Sequence, residues 1–320
     1  MAGSKQELIH TAFDTAYTWT YETQNEDLRR LYEKSKREQW NAAEVLDWKT
    51  SVDPEAENFP DQQIPVFGTY IWERLTKREI LKLRREQMSW TLSQFMHGEQ
   101  GALLATAQIV DAVPDIDAKF YAGQQVADEA RHVEVYAKYL GEKLQREYPC
   151  NPHLKSLLDA ILTDSRWDMK YLGMQILVEG LALAAFAFLH NMASEPLIKD
   201  ITYRIMQDEA RHVAFGVLTL QDLYKEMSAS DLKDREDFTY EACRLMRDRL
   251  LAVEVWEEMG WNVPEVEKIV LDSPSLAEFR KLLFSKIVPN VKRLGLLTPR
   301  LRAGFEELGI IRFEEYEPSA

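Results

Sequence analysis

Cysteine is scarce in this chain: two residues in 320, Cys150 and Cys243, with no C-x-x-C pairing. That excludes a disulfide framework and any zinc or iron–sulfur site built from paired thiolates. Positive charge is also in deficit. Lys and Arg number 39 against 53 Asp and Glu, and the net charge of −14 disfavours non-specific nucleic-acid binding. The basic cluster Lys77, Arg78, Lys82, Arg84 and Arg85 is expected to be a solvated helix face. No low-complexity stretch, long polar linker or terminal apolar segment of signal-peptide type is found, so one domain over 1–320 and a cytoplasmic location are expected. Strict apolar–polar alternation is missing and turn signals lie far apart, so the chain reads as all-α.

What is present is a repeat. The hexapeptide Asp-Glu-Ala-Arg-His-Val occurs at 128–133 and again at 208–213, and each copy places its glutamate thirty residues after another one, Glu99 or Glu179, in an apolar stretch. One translation of eighty residues maps Glu99 onto Glu179, Glu129 onto Glu209 and His132 onto His212. Residues i and i+3 of a helix share a face, so each Glu-x-x-His pair can grip one metal ion. Two glutamates from two helices plus two Glu-x-x-His pairs from two others make up the ligand set of a dinuclear centre in a four-helix bundle. Chain order also gives matching heights. Glu99 and Glu129 lie at similar distances either side of the Asp111–Pro114 turn signal, and Glu179 and Glu209 flank the break near Asn191–Pro196, so antiparallel hairpins bring each pair to one level.

Electrostatics point the same way. Glu179 sits in the run Leu172–Leu189 among Ile176, Leu177, Val178, Leu181, Ala182 and Leu183, where a lone carboxylate would be costly or protonated. Two divalent ions cancel four carboxylates and leave the histidines neutral. A membrane span over Leu172–Leu189 is disfavoured by the central Glu179 and Gln175 and by a length at the lower limit.

The expected bundle core covers about 77–227, with an N-terminal extension over 1–76 and C-terminal helices over 228–320. The extension should hold a helix from about Lys5 to Glu38, then an irregular stretch from Asp47 to Pro65. Bundle helices are expected over Lys77–Val110 and Asp115–Gln145, followed by a short crossover helix ending at Leu162. A third bundle helix should be capped by Asp164 or Ser165, and a fourth should be capped by Ser194 and end near Met227. Ser230 should open a helix running to about Met259, with shorter helices up to the acidic tail Glu314–Ala320.

On Glu99, Glu129-Ala-Arg-His132, Glu179 and Glu209-Ala-Arg-His212, the chain resembles the ferritin-like di-iron carboxylate superfamily over about Phe95–Val217. The resemblance implies that Asp128 and Asp208 accept hydrogen bonds from the ligand histidines of the opposite hairpin, and that Arg131 and Arg211 pair with such acids. It also implies a homodimer. Within the superfamily, the bacterial multicomponent monooxygenases carry a threonine where this chain has Leu183, and the arylamine N-oxygenases carry a further histidine where it has Ile205. Tyr136, one turn after His132, resembles the radical-bearing position of the ribonucleotide reductase small subunit, although the first ligand here is a glutamate. It is read as a pocket wall or hydrogen-bonding residue. Its counterpart after His212 is Gly216, which either leaves room for oxygen or substrate or lets helices pack closely. Ala102 and Ala182 carry the same two readings. Phe95, Met96, Phe186 and Phe188 read as core. His97 and His190 are not needed as ligands.

The expected function is an O2-dependent non-haem di-iron oxidase or oxygenase, with two iron ions (or manganese in place of one), O2 as co-substrate and a small organic substrate. Glu99, Glu129 and His132 would serve one ion, and Glu179, Glu209 and His212 the other, with some carboxylates bridging. Two rivals are a ferroxidase for iron handling and a radical-generating subunit using Tyr136. The long segments before Glu99 and after Gly216 favour the enzyme, because storage does not require them. No flavin, nicotinamide or iron–sulfur motif is evident, so electrons should come from an external donor or from the substrate itself.

Overall fold

A computed structural model describes residues 6–317. Among the described residues there is no strand, and four long helices form two antiparallel hairpins. The first hairpin joins Lys77–Ala112 to Ile116–Tyr139. The second joins the helical stretch Trp167–Met192 to Pro196–Glu226. Local chemistry sets the boundaries. Thr76 and Glu79 close a reciprocal capping box, Asp115 accepts from the Ala118 amide, and Pro196 stands at the start of the fourth helix where its missing N–H is not needed. The crossover helix, Pro152–Thr163, packs on the first bundle helix.

Trp167–Met192 is long and apolar enough to cross a membrane, but 78% of that window is buried inside the bundle, which makes it the core helix. It is not uniform. Over Leu172–Val178 the turns widen, and the Glu179 amide bonds to the Met174 carbonyl five residues back. Such wide turns are rare and gather at functional sites. Opposite this widening lies Gly216, where an added Cβ would sit 2.6 Å from the Gln175 Cβ and 3.1 Å from Ile176. Gly216 therefore serves close packing, and the space beside it is filled by Gln175 and Ile176 rather than left open.

Several expected boundaries are corrected. The N-terminal helix does not run from Lys5 to Glu38. Lys5 lies outside the described residues, the chain is non-helical from Gln6 to Asn25, and the helix is Glu26–Arg37. The earlier segment is rich in threonine and aromatic residues, and its backbone bonds go to the first hairpin's turn, with Ala16 N–H on the Asp111 carbonyl and the Thr18 hydroxyl on that of Pro114. The Gln24 and Asn25 amides then reach buried Asp117 at 2.8 and 2.9 Å. Glu195, not Ser194, caps the fourth helix, because its carboxylate accepts from the Leu197 and Ile198 amides while the Ser194 hydroxyl turns to Glu57. The third helix has no side-chain cap, since Asp164 binds the Arg166 amide and guanidinium. Ser228 rather than Ser230 opens the next helix, which stops at Asp248. A tight turn over Arg249–Leu251 and a left-handed Ala252 (φ 51°) redirect the chain into Val253–Glu258.

Two apolar clusters fill the molecule. One groups Tyr121, Tyr171 and Phe215 with the C-terminal helices, and the other gathers Tyr136, Phe186, Ile201 and Ile205. The basic cluster is partly tied down. Arg84 makes two bonds to Asp61, at 2.8 and 2.7 Å, and so pins the irregular segment to the first bundle helix.

Candidate metal centre

Four helices each deliver one ligand-type glutamate to a single buried level: Glu99, Glu129, Glu179 and Glu209, with His132 and His212 one turn after the second and fourth. All six are buried, the histidines with no solvent exposure. Atoms from Glu99, Glu129, His132 and Glu209 lie within 4.8 Å of one another, as do atoms from Glu129, Glu179 and His212. Glu129 belongs to both groups. Its two oxygens lie 3.5 Å from His132 Nδ1 and 3.1 Å from His212 Nδ1, and one oxygen of Glu209 lies 3.3 and 3.5 Å from the same two atoms. Glu209 thus stands between the two groups instead of belonging wholly to the second. The arrangement is a pair of pockets sharing two carboxylates, with Glu99 and Glu179 at the ends.

The donor set fits two divalent cations. Among the described residues, Glu129 Oε2, Glu179 Oε2, both Glu209 oxygens and His212 Nδ1 are buried without a hydrogen-bond partner. Orphaned acceptors at this depth are expensive, and a cation satisfies them together. The protein alone reaches a strained compromise. Burial, with the Glu209 charge, pushes Glu99 well above the usual carboxylate range, and burial does the same to Glu179. Burial opposes charge on Glu129 also, but the His212 and His132 rings outweigh it and hold this carboxyl well below. Against burial, surrounding carboxylates raise both histidines, with Glu99 foremost for His132 and Glu129 foremost for His212. Metal binding would replace these protons.

Each histidine is held from behind by the other hairpin. His132 Nε2 is 3.0 Å from Asp208 Oδ2, and His212 Nε2 is 3.3 Å from Asp128 Oδ2, so both Nδ1 atoms face the glutamates. Such partners fix the ring and its tautomer. Arg131 joins the two acids, 2.5 Å from Asp128 and 3.1 Å from Asp208, while Arg211 bonds to Asp208. Burial opposes ionisation of Asp208, but the His132 ring and both arginines hold its carboxyl far below the usual range.

Residues that the motif reading missed complete this layer. Gln39 donates to Asp128 and accepts from Arg131, Trp40 donates to Asp208 at 2.8 Å and stacks under Arg131, and Glu38 pairs with Arg211 at 2.7 Å. They lie just after the N-terminal helix, which packs across the second and fourth bundle helices. Nothing local marks them, because their partners are about ninety and 170 residues away. Gln125 was also missed. One turn before Glu129, it donates to Glu129 at 3.0 Å and Glu179 at 2.8 Å. The helical spacing Gln125–Glu129–His132 was a usable signal.

Tyr136 is fully buried, packs against Phe95 and Phe186 at ring distances of 5.9 and 6.1 Å, and has no partner for its hydroxyl among the described residues. Burial raises its phenol well above the ordinary value. His97 and His190 turn to the backbone carbonyls of Tyr148 and Lys199.

Two neighbouring cavities that share lining residues lie on one side of the centre. The inner one, about 30 Å³, is lined by Glu99, Glu179 and Glu209 together with Ala102, Ala182 and Phe186. The outer one, about 140 Å³, lies between the bundle, the irregular segment and the C-terminal helices, with Phe188 from the bundle, Phe59 and Ile64 from the irregular segment, and Leu276 and Phe279 from the C-terminal part among its lining residues. Gln94, Phe95, Leu181 and Arg249 line both. Phe186 and Met96 are buried core as expected, with Phe186 also bordering the inner cavity, whereas Phe95 and Phe188 are half-buried and line a cavity, so for these two the core expectation is corrected. Ala102 and Ala182 give one of these cavities its room.

Comparison with known proteins follows this geometry. The family model described as P-aminobenzoate N-oxygenase AurF matches residues 22–295. No curated protein matches. Among solved structures, the chain is similar to Protein 19 with aldehyde deformylating oxidase activity from Synechococcus, at 16% identity over 70% of this chain and 96% of that one, with a TM-score of 0.52. It is also similar to an R2-like ligand-binding oxidase, at 17% identity over 85% and 93%, with a TM-score of 0.53. These two likenesses show the ferritin-like fold. The family match stands despite Ile205, which takes the place of the further histidine of arylamine N-oxygenases. The chain belongs to the AurF family, and with it to the non-haem di-iron oxidases and oxygenases that act on small molecules.

Proposed function

We propose that this protein is an O2-dependent oxygenase for a small organic substrate taken up in the cavity beside Glu99, Glu179 and Glu209. The observation that carries this reading is the inner cavity, which reaches three of the four glutamates and shares lining residues with a larger cavity to which the irregular segment and the C-terminal helices contribute walls. Those walls would be superfluous in an iron store. Glu99, Glu129, Glu179, Glu209, His132 and His212 would hold two iron ions, or one manganese and one iron. The metal pair would supply O2 activation and two-electron oxidation.

The chain's own residues do the rest. Asp208 and Asp128 keep the ring Nε2 protons on His132 and His212, so that each Nδ1 lone pair faces inward. Gln125 holds Glu129 and Glu179 by its amide donors and limits their swing. Phe95, Phe186 and Leu181 exclude bulk water from the approach to the glutamates. Tyr136 closes the aromatic end of the centre and would restrict solvent there. The family description makes an aromatic amine the first substrate to try, with its nitrogen as the oxidised atom. We further propose a homodimer working in the cytoplasm with an external electron donor and no nucleic-acid partner, in line with the acidic charge and the absence of a flavin, nicotinamide or iron–sulfur motif.

The test is anaerobic loading with ferrous iron followed by mixing with O2 alone or with amines, fatty acyl compounds or aromatics, recording O2 consumption and oxidised product. Product from one class establishes the oxygenase and its substrate class. Oxidation of the metal with no organic product from any compound would refute the reading in favour of a ferroxidase.

A further inference from the structure

Among the described residues, the four most exposed large apolar side chains, Leu8, Trp19, Tyr17 and Tyr21, all lie in the segment before the first helix. From Gln6 to Tyr21 the chain runs without helix, turn or bend. Its end, Thr15–Tyr21, reads Thr-Ala-Tyr-Thr-Trp-Thr-Tyr, with no charge and with the β-branched and aromatic types that favour extended pairing. Tyr17, Trp19 and Tyr21 are 68%, 78% and 60% exposed and come at every second position, which in an extended chain puts them on one face. Their rings agree with that placement. Those of Tyr17 and Trp19 lie 4.4 Å apart, and the Tyr17 hydroxyl raises the Tyr21 phenol above its ordinary value.

The stripe is held still from behind. Ala16 and Thr18 bond to the turn of the first hairpin, the Phe13 ring lies 5.1 Å from the Lys170 ammonium, and the Gln24 and Asn25 amides reach Asp117. The backbone N–H and C=O groups from Tyr17 to Thr23 have no hydrogen-bond partner among the described residues, so the segment also presents an open edge for pairing. Three rings at these exposures offer roughly 300–500 Å² of apolar surface, more than a third of the ~800 Å² that each partner brings to a stable interface.

Charge selects the occupant. The chain carries −14, so two copies repel over most of their surface, and an uncharged stripe is where they approach at least cost. A basic partner would be drawn to the acidic faces instead. Symmetry agrees, because a two-fold axis at Trp19 sets the segment antiparallel to its own copy, joins one open edge to the other and brings Tyr17 of one copy beside Tyr21 of the other.

We infer that Thr15–Tyr21 is the interface between two copies of this chain, paired antiparallel with Trp19 at its centre. The inference rests on the homodimer proposed above and gives it a surface, while the oxygenase reading stands or falls separately.

Sedimentation equilibrium of the full-length protein tests it. The unsubstituted protein should be a dimer at micromolar concentration. Trp19→Glu, which sets two carboxylates against each other at the axis, should raise the dissociation constant about 100-fold or more. Tyr17→Ser combined with Tyr21→Ser should weaken the dimer without adding charge, and Trp19→Phe should keep it. Leu271→Glu, the same kind of charge on an exposed leucine of the helix Val263–Leu271, should also keep it. Helical circular dichroism should be unchanged throughout, because every substituted side chain is exposed. A dimer as tight in Trp19→Glu as in the unsubstituted protein would overturn the surface and leave the homodimer standing. An unsubstituted protein that stays monomeric at every concentration would overturn both. One that instead floats with neutral phosphatidylcholine vesicles, and stops doing so in Trp19→Glu, would give the stripe to a membrane surface and overturn the inference as well.

Discussion

The two hairpins carry the same six-residue motif eighty residues apart, yet their surroundings differ. One turn before the motif's glutamate, the first hairpin has Gln125, which bonds to two ligand glutamates, whereas the second has buried Ile205. One turn after the histidine, the first has Tyr136 and the second has Gly216. One turn before the isolated glutamates stand Phe95 on the cavity side and Gln175 in the widened turn. The ligand set is close to symmetric, while its environment is polarised. One end is aromatic and opens to a cavity, and the other is polar and tightly closed. On the proposed ligand set, repetition would supply the metal pair, and divergence around it would make two inequivalent sites from equivalent ligands.

The harshest way to break the comparison is to remove a ligand from the second hairpin. Glu179→Ala or His212→Ala should lose at least one of two metal equivalents, counted by elemental analysis, with helical circular dichroism largely kept. Two ions bound by either variant would sink the six-ligand assignment. Exchanging the supports gives a smaller effect. Asp208→Asn weakens the hold on His132 and should lower metal affinity about 10- to 100-fold in a chelator competition, with Asp128→Asn acting alike through His212. If only one of the two acts, the centre is less symmetric than its geometry.

Gly216→Ala probes the closed end, where the new Cβ meets Gln175. A cost of about 1–3 kcal/mol is expected by chemical denaturation. Stability within about 0.5 kcal/mol of the parent would mean that the widened turn yields freely. Least of all, Leu183→Thr should leave the metal stoichiometry unchanged, since Leu183 is not one of the six residues and lines neither cavity described above.

The bundle and the six-residue cluster were legible because they depend on period and spacing. Helical turns place Glu129 with His132 wherever the helix occurs, and burial of Glu179 follows from its apolar neighbours. The residues that escaped are held by distant partners. Nothing in the local pattern near Gln39 and Trp40 announces Asp128 and Asp208, and the threonine- and aromatic-rich chain before Asn25 takes its course from the hairpin turn it meets. Propensity alone extended the N-terminal helix too far, and it carried the helix expected from Ser230 straight past the break at Ala252.

With the ligand set proposed here, the crossing of Asp128 to His212 and of Asp208 to His132 means that neither hairpin would be a complete metal site on its own. A half-formed bundle would offer its histidine with a free ring and the wrong neighbours, and would hold the ion weakly. Capture of the pair would then wait for the two halves to meet, so that loading would report on assembly and a loaded chain would be one whose halves have already found each other.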